Sequence, residues 1–127
     1  MSIKKLPDAE FEIMKTVWHM EPPITSALLT EKLRLLLPQK DWKPQTVLTM
    51  LVRLEKKGFL TSVKNGKERQ YSPAVSEAEY LQIEADSLRR RFQGSALNGF
   101  VKALCADKDF SQKDIEDLRQ WLDSREK

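Results

Sequence analysis

The chain has 127 residues, the length of one domain or of a small domain with an oligomerising extension, and too few for a large cofactor enzyme with separate binding halves. Its 40% hydrophobic content excludes wholesale disorder, its 32% charged content suggests much exposed helix, and a formal charge of +3 settles nothing alone. A single cysteine, Cys105, and a single histidine, His19, exclude an intrachain disulfide and the usual structural zinc site, so no metal or cofactor is expected.

The first predicted helix covers Asp8 to Met20, with Phe11, Met14, Val17 and Trp18 on one apolar face, and Pro22-Pro23 ends it. The second runs from Thr25 to Leu37. Thr25 or Ser26 can cap it, and Leu28, Leu29, Leu33, Leu36 and Leu37 form its stripe. The third starts at Pro44, a favoured first-turn residue, and ends at Lys57 before Gly58, which suits a left-handed stop. At 100° per residue, Val47, Met50, Leu51 and Leu54 cluster on one side, and Gln45, Thr46, Thr49, Arg53 and Lys56 on the other. A hairpin follows. Asn65-Gly66 marks its turn, Leu60, Val63 and Tyr71 are the expected inward residues, and Lys64, Lys67 and Arg69 crowd its tip.

The pattern changes near Pro73. Residues 1–73 hold 13 Lys/Arg and 8 Asp/Glu, a net of +5, whereas residues 74–127 hold 9 and 11, a net of −2. The basic half is the candidate for a polyanionic partner, although such a charge is also ordinary for a solvated surface. Beyond the change only helices are predicted. Ser76 and Glu79 read as a capping box, and a long helix runs on to Gln93, where Gly94 breaks it. A short apolar helix carries Ala96, Leu97, Phe100, Val101 and Leu104, and a last helix begins at Ser111. Three short helices lack a sufficient core as a single copy, so this half is expected to interleave with a second chain. The dimer interface is assigned to Tyr80, Leu88, Phe92, Leu97, Phe100, Val101, Leu104, Ile115, Leu118, Trp121 and Leu122.

The fold class is therefore mainly α with a small β-wing: a winged helix-turn-helix DNA-binding domain over residues 1–73 and a helical dimerisation region over 74–127. The major groove admits one α-helix, whose N-terminal side chains meet the base edges. Gln45, Thr46 and Thr49 lie there and are the candidate base contacts, Gln for adenine and Thr for a thymine methyl. Lys43, Arg53, Lys56, Lys57, Lys64, Lys67 and Arg69 are the candidate phosphate contacts. Each is also an ordinary surface residue, and Arg53 an ordinary ion-pair former. The order of elements gives weight to the DNA reading.

An enzyme is not expected. No acid/base motif, nucleophile elbow, Walker loop or H-E-x-x-H occurs. His19 suits a helix C-terminus, Cys105 a buried position, and Trp18, Trp42 and Trp121 packing. No apolar run approaches the roughly 20 residues of a membrane span, and the acidic N-terminal segment is unlike a signal peptide. A cytoplasmic protein with reduced thiols and no membrane insertion is expected.

The segments LPDAEFEIMKTVW, KPQTVLTMLVRLEKKGFL, KERQYSP and DIEDLRQWLD resemble, in order and spacing, the penicillinase-repressor (BlaI/MecI/CopY) family over roughly Leu6 to Leu122. The resemblance implies a homodimeric winged-helix repressor on a palindromic double-stranded DNA operator, controlling β-lactamase, resistance or copper-homeostasis genes. It also implies relief by proteolysis in the dimerisation region, downstream of a membrane-bound sensor with a zinc-protease domain. Two departures stand out. The cysteine cluster of the copper branch is absent, and Ala103-Leu104 occupies the place of the Asn-Phe bond cut in the β-lactam branch. A winged-helix protein-interaction module and a ligand-responsive regulator without proteolytic induction remain the alternatives.

Overall fold

Cap and turn chemistry sets most element boundaries in the computed structural model, which describes residues 4–106 and 110–125. Helix α1 (Asp8–Trp18) follows Pro7, with Asp8 and Glu10 complementing the positive end of its dipole and His19 as its C-cap. Helix α2 (Ser26–Leu36) is capped by Thr25, whose hydroxyl accepts from the Leu28 N–H at 3.2 Å. Helix α3 (Pro44–Lys56) begins with proline in its first turn. Gly58 follows at φ 87°, where a Cβ would be strained, and the chain turns into the hairpin.

The hairpin pairs β1 (Leu60–Asn65) with β2 (Glu68–Pro73), antiparallel, from Leu60↔Pro73 to Asn65↔Glu68. Two details differ from the sequence expectation. Asn65 is the last paired strand residue, so the two-residue turn is Gly66-Lys67, and Gly66 takes the positive φ of 67°. Val63 is 70% exposed. Side chains alternate faces along a strand, so a residue three positions from inward-facing Leu60 points the opposite way. A bridge joins Ile24 to Tyr71, with the Tyr71 N–H donating to the Ile24 carbonyl at 2.8 Å, and ties the α1–α2 connection to the wing.

The chain divides into two compact units, Met1–Glu84 and Ala85–Lys127. The first has one core, in which Ile13, Met14 and Val17 of α1, Leu29 and Leu33 of α2, and Val47, Leu51 and Leu54 of α3 are buried. Phe59, Leu60 and Tyr71 close it from the wing side. In α2 the exposed Leu28 is out of phase with Leu29 and Leu33 by a quarter turn or more, and the exposed Leu36 is the helix's last residue.

Helix α4 (Glu77–Arg91) begins with the expected capping box. The Glu79 N–H donates to Ser76 Oγ at 3.1 Å, and the Ser76 N–H donates to Glu79 Oε1 at 2.8 Å. These bonds to Ser76 hold the Glu79 carboxyl below its ordinary value. The unit boundary falls inside this helix, not at Pro73, because Tyr80 is fully buried in the first unit. Its ring lies 5.4 Å from Phe11, 5.8 Å from Trp18 and 5.6 Å from Phe59. Its hydroxyl accepts from the Leu6 N–H at 2.7 Å and donates to Glu84 at 2.6 Å. Tyr80 therefore leaves the list of dimer-interface residues: three aromatic neighbours and two hydrogen bonds already enclose it.

In the second unit, α5 (Ser95–Cys105) and α6 (Gln112–Arg125) follow the end of α4. Ser111 and Asp114 form a second reciprocal cap, with bonds of 3.1 and 3.2 Å, at the start of α6. Phe92 and Phe100 stack at 5.0 Å. No described residue of this unit is buried. Cys105, expected to be buried, is half-exposed, and Trp121, expected to pack, is 53% exposed.

Candidate nucleic-acid interface

Helix α3 has two unlike faces because its apolar residues recur at i, i+4 and i+7. Burying Val47, Leu51 and Leu54 orients the opposite side outward, and Gln45, Thr46, Thr49, Arg53 and Lys56 are all exposed there. Gln45, Leu48, Thr49, Val52, Arg53 and Lys56 line a shallow groove of about 340 Å³ along this face. Thr46 is exposed but lies outside the groove's lining. The Thr49 hydroxyl donates to the Gln45 carbonyl one turn back, at 2.9 Å.

The cations expected on DNA phosphates differ in what holds them. Arg53, Lys56, Lys64 and Lys67 are exposed and enter no ion pair among the described residues. Lys43 precedes α3 and lies 3.7 Å from Asp41, with both side chains well exposed, so this contact does not hold it. Lys57 is different. Its ammonium lies 2.6 Å from Oε1 of Glu10, a carboxylate only 6% exposed. A buried carboxylate needs a charged partner, so Lys57 joins the end of α3 to α1 and leaves the set of phosphate contacts.

Arg69 is tethered to α3 through the wing. Its Nη1 donates to Ser62 Oγ at 3.0 Å, and the Ser62 hydroxyl lies 2.9 Å from both carboxylate oxygens of Glu55 on α3. The chain of contacts fixes the wing against α3 while leaving Arg69 exposed. Burial and the Glu55 charge raise the nearby Tyr71 hydroxyl above its ordinary value, and Arg69 partly offsets this. A second hollow lies beside the groove, where Ser26 and Ala27 at the start of α2 meet Leu48, Lys67, Arg69 and Tyr71.

Leu48 and Val52 were not among the candidate site residues, yet they are 38% and 49% exposed on the outer face of α3. Their signal is present in the helical projection. Val52 falls on one stripe with Gln45, Thr49 and Lys56, and Leu48 lies one turn before Val52. An apolar residue in the middle of an otherwise polar stripe is the observation that marks them.

In the second unit, Leu88, Val101, Leu104, Leu118, Trp121 and Leu122 are exposed, and Phe92, Leu97, Phe100 and Ile115 are half-buried. Leu97, Phe100, Val101 and Leu104 share one face of α5 by their spacing. Ala103 and Leu104, the position assigned to cleavage, are exposed in the last turn and a half of that helix. No helix among the described residues is long and apolar enough to cross a membrane.

Comparison with known proteins places these features in context. A family profile described as "Penicillinase repressor" matches residues 6–124. The chain is 34% identical over 124 residues to the penicillinase repressor of Bacillus licheniformis, covering 95% of this chain and 94% of that one. It is 30% identical over 121 residues to the methicillin resistance regulatory protein MecI of Staphylococcus aureus strain N315, covering 95% of both. Among solved structures, it is similar to the DNA-binding domain of the repressor BlaI, with a TM-score of 0.52 and 35% identity, over 62% of this chain and 92% of that one.

Proposed function

The chain belongs to the penicillinase-repressor family, whose members are transcriptional repressors and not enzymes, and from this premise we propose that it represses resistance genes of the β-lactamase class as a homodimer on a palindromic operator. The observation that carries the reading is the outward face of α3. It is polar at its start, cationic at its end and flanked by exposed wing cations. In this reading Gln45, Thr46 and Thr49 meet base edges, while Lys43, Arg53, Lys56, Lys64, Lys67 and Arg69 meet phosphates. The similarity to a solved DNA-binding repressor domain supports it.

Dimerisation is supported by the second unit, which exposes Leu88, Val101, Leu104, Leu118 and Leu122 and buries no described residue. A second copy covering these faces removes them from water at about 25 cal/mol per Å². The dimer sets two recognition helices about 34–36 Å apart, or a multiple of that, for successive turns of one groove. Joining two modest half-site interactions raises affinity through effective concentration. Relief of repression follows the family resemblance: a membrane-bound sensor with a zinc-protease domain leads to a cut at Ala103-Leu104, near the end of α5, which detaches α6 and its part of the dimer interface.

Selection of duplexes from a random library at two salt concentrations, with solution mass measured alongside, tests the reading. The expected result is a palindromic motif bound by a species of twice the chain mass. Dimeric protein with no enriched motif would favour a protein-interaction module instead.

A further inference from the structure

We propose that the recognition helix reads thymine 5-methyl groups through Leu48, Val52 and the methyl of Thr49, so that its half-site carries thymines within about three base pairs of the base met by Gln45. The inference rests on the DNA-binding reading above and specifies which bases that site prefers.

Three observations carry it. Leu48 and Val52 are 38% and 49% exposed on a helix whose core face is already filled by Val47, Leu51 and Leu54. Half or more of each side chain is covered by its neighbours, and the uncovered part presents adjacent aliphatic surface, one turn apart, in the middle of a polar and cationic groove. The Thr49 hydroxyl proton is committed to the Gln45 carbonyl at 2.9 Å. The hydroxyl can then only accept, and the methyl is the apolar group that Thr49 offers an approaching surface. Finally, cations surround the strip. Arg53 and Lys56 share its groove, and Lys67 and Arg69 share the neighbouring hollow with Leu48.

An apolar strip framed by cations fits a polyanion that has an apolar feature between its charged edges. The major groove has one such feature. Thymine alone among the four bases presents an alkyl group there, its 5-methyl. The dimensions agree. Helix rise is about 1.5 Å per residue, so Gln45 to Val52 spans roughly 10 Å, against about 3.4 Å per base-pair step. Gln45 can then hydrogen-bond one base while the aliphatic groups contact methyls on the next two or three.

The test uses the duplex enriched from the random library and copies of it in which each thymidine in turn is replaced by deoxyuridine. That change removes the methyl and keeps every hydrogen-bonding atom. The expected result is a loss of about fourfold in affinity at each thymine under α3, the size of one buried methyl, and no loss elsewhere in the site. Leu48→Ala and Val52→Ala should each abolish the thymine-over-uracil preference at one position, with thermal melts checking that each variant still folds, since part of each side chain is covered. Thr49→Val should keep the preference and Thr49→Ser should lose it. A specific motif bound equally well with thymine or uracil at every position would overturn the inference and leave the DNA-binding reading standing. No enriched motif at all would overturn both.

Discussion

Lys57 and Lys67 carry the same charge in the same basic half of the chain, and the structure gives them different work. Lys57 neutralises the buried Glu10 carboxylate, while Lys67 stands exposed in the hairpin turn. Lys57→Ala is expected to lower unfolding stability by about 2–3 kcal/mol, because it strands a buried charge, with no change in the salt dependence of DNA binding. Lys67→Ala is expected to do the reverse, reducing the slope of log K against log salt by about one unit at unchanged stability. An unchanged slope would remove the wing from the contacts. Thr46→Ala should weaken specific binding more than non-specific binding, and equal losses on both DNAs would refute a base-reading role. Tyr80→Phe leaves the Leu6 N–H without its acceptor and should cost about 1–2 kcal/mol. Burial, with the bond to Glu84, pushes the Tyr80 hydroxyl up to about 12. The raised value favours the neutral phenol in the folded state. Its contribution is therefore complete below about pH 10 and lost as pH rises towards 12, and Tyr80→Phe should make that alkaline decline shallower in thermal melts.

Elements were legible where one local rule decides them, and less so where packing does. Pro44 and Gly58 bracket α3, Thr25 caps α2, and the Ser76–Glu79 box starts α4, all as their residue types require. Ser76→Ala should therefore cost about 1 kcal/mol in chemical denaturation, and no change would mean that α4 is held by Tyr80 alone. The wing was legible as a hairpin, but its inner face was not. Strand alternation places Leu60 with Tyr71 and turns Val63 outward, and register depends on which residue the core captures. The candidate site shows the same division. Composition and spacing pointed to the outer face of α3, whereas the pairing of Lys57 with Glu10, across 47 positions of sequence, depends on how α1 lies against α3. Leu48 and Val52 are harder to recognise from sequence, because helical projection puts them with the polar outer face while apolar side chains are not expected there; the filled inner face of Val47, Leu51 and Leu54 leaves them outside the core.

At the scale of the whole molecule, charge, burial and family resemblance point to a division of labour between a well-packed first unit and a second that buries no described residue. A charge placed on the exposed face of α5 should act on assembly before it acts on the first unit. Leu104→Asp is expected to halve the solution mass and to lower affinity for a full palindrome about a hundredfold, with half-site binding kept. Sedimentation and operator titration measure both effects, and a variant that stays dimeric would move the interface away from Leu104.

The thin interior of the second unit also bears on how long the protein lasts. If a second copy completes this half, then folding, assembly and operator occupancy form one linked equilibrium governed by the number of chains present. Unassembled chains spend more time locally open, and opened segments are what general proteases degrade. Surplus monomer should therefore turn over faster than dimer, and pulse-chase half-lives should lengthen as expression rises. Quality control would then trim the free repressor and spare the copies that have found a partner.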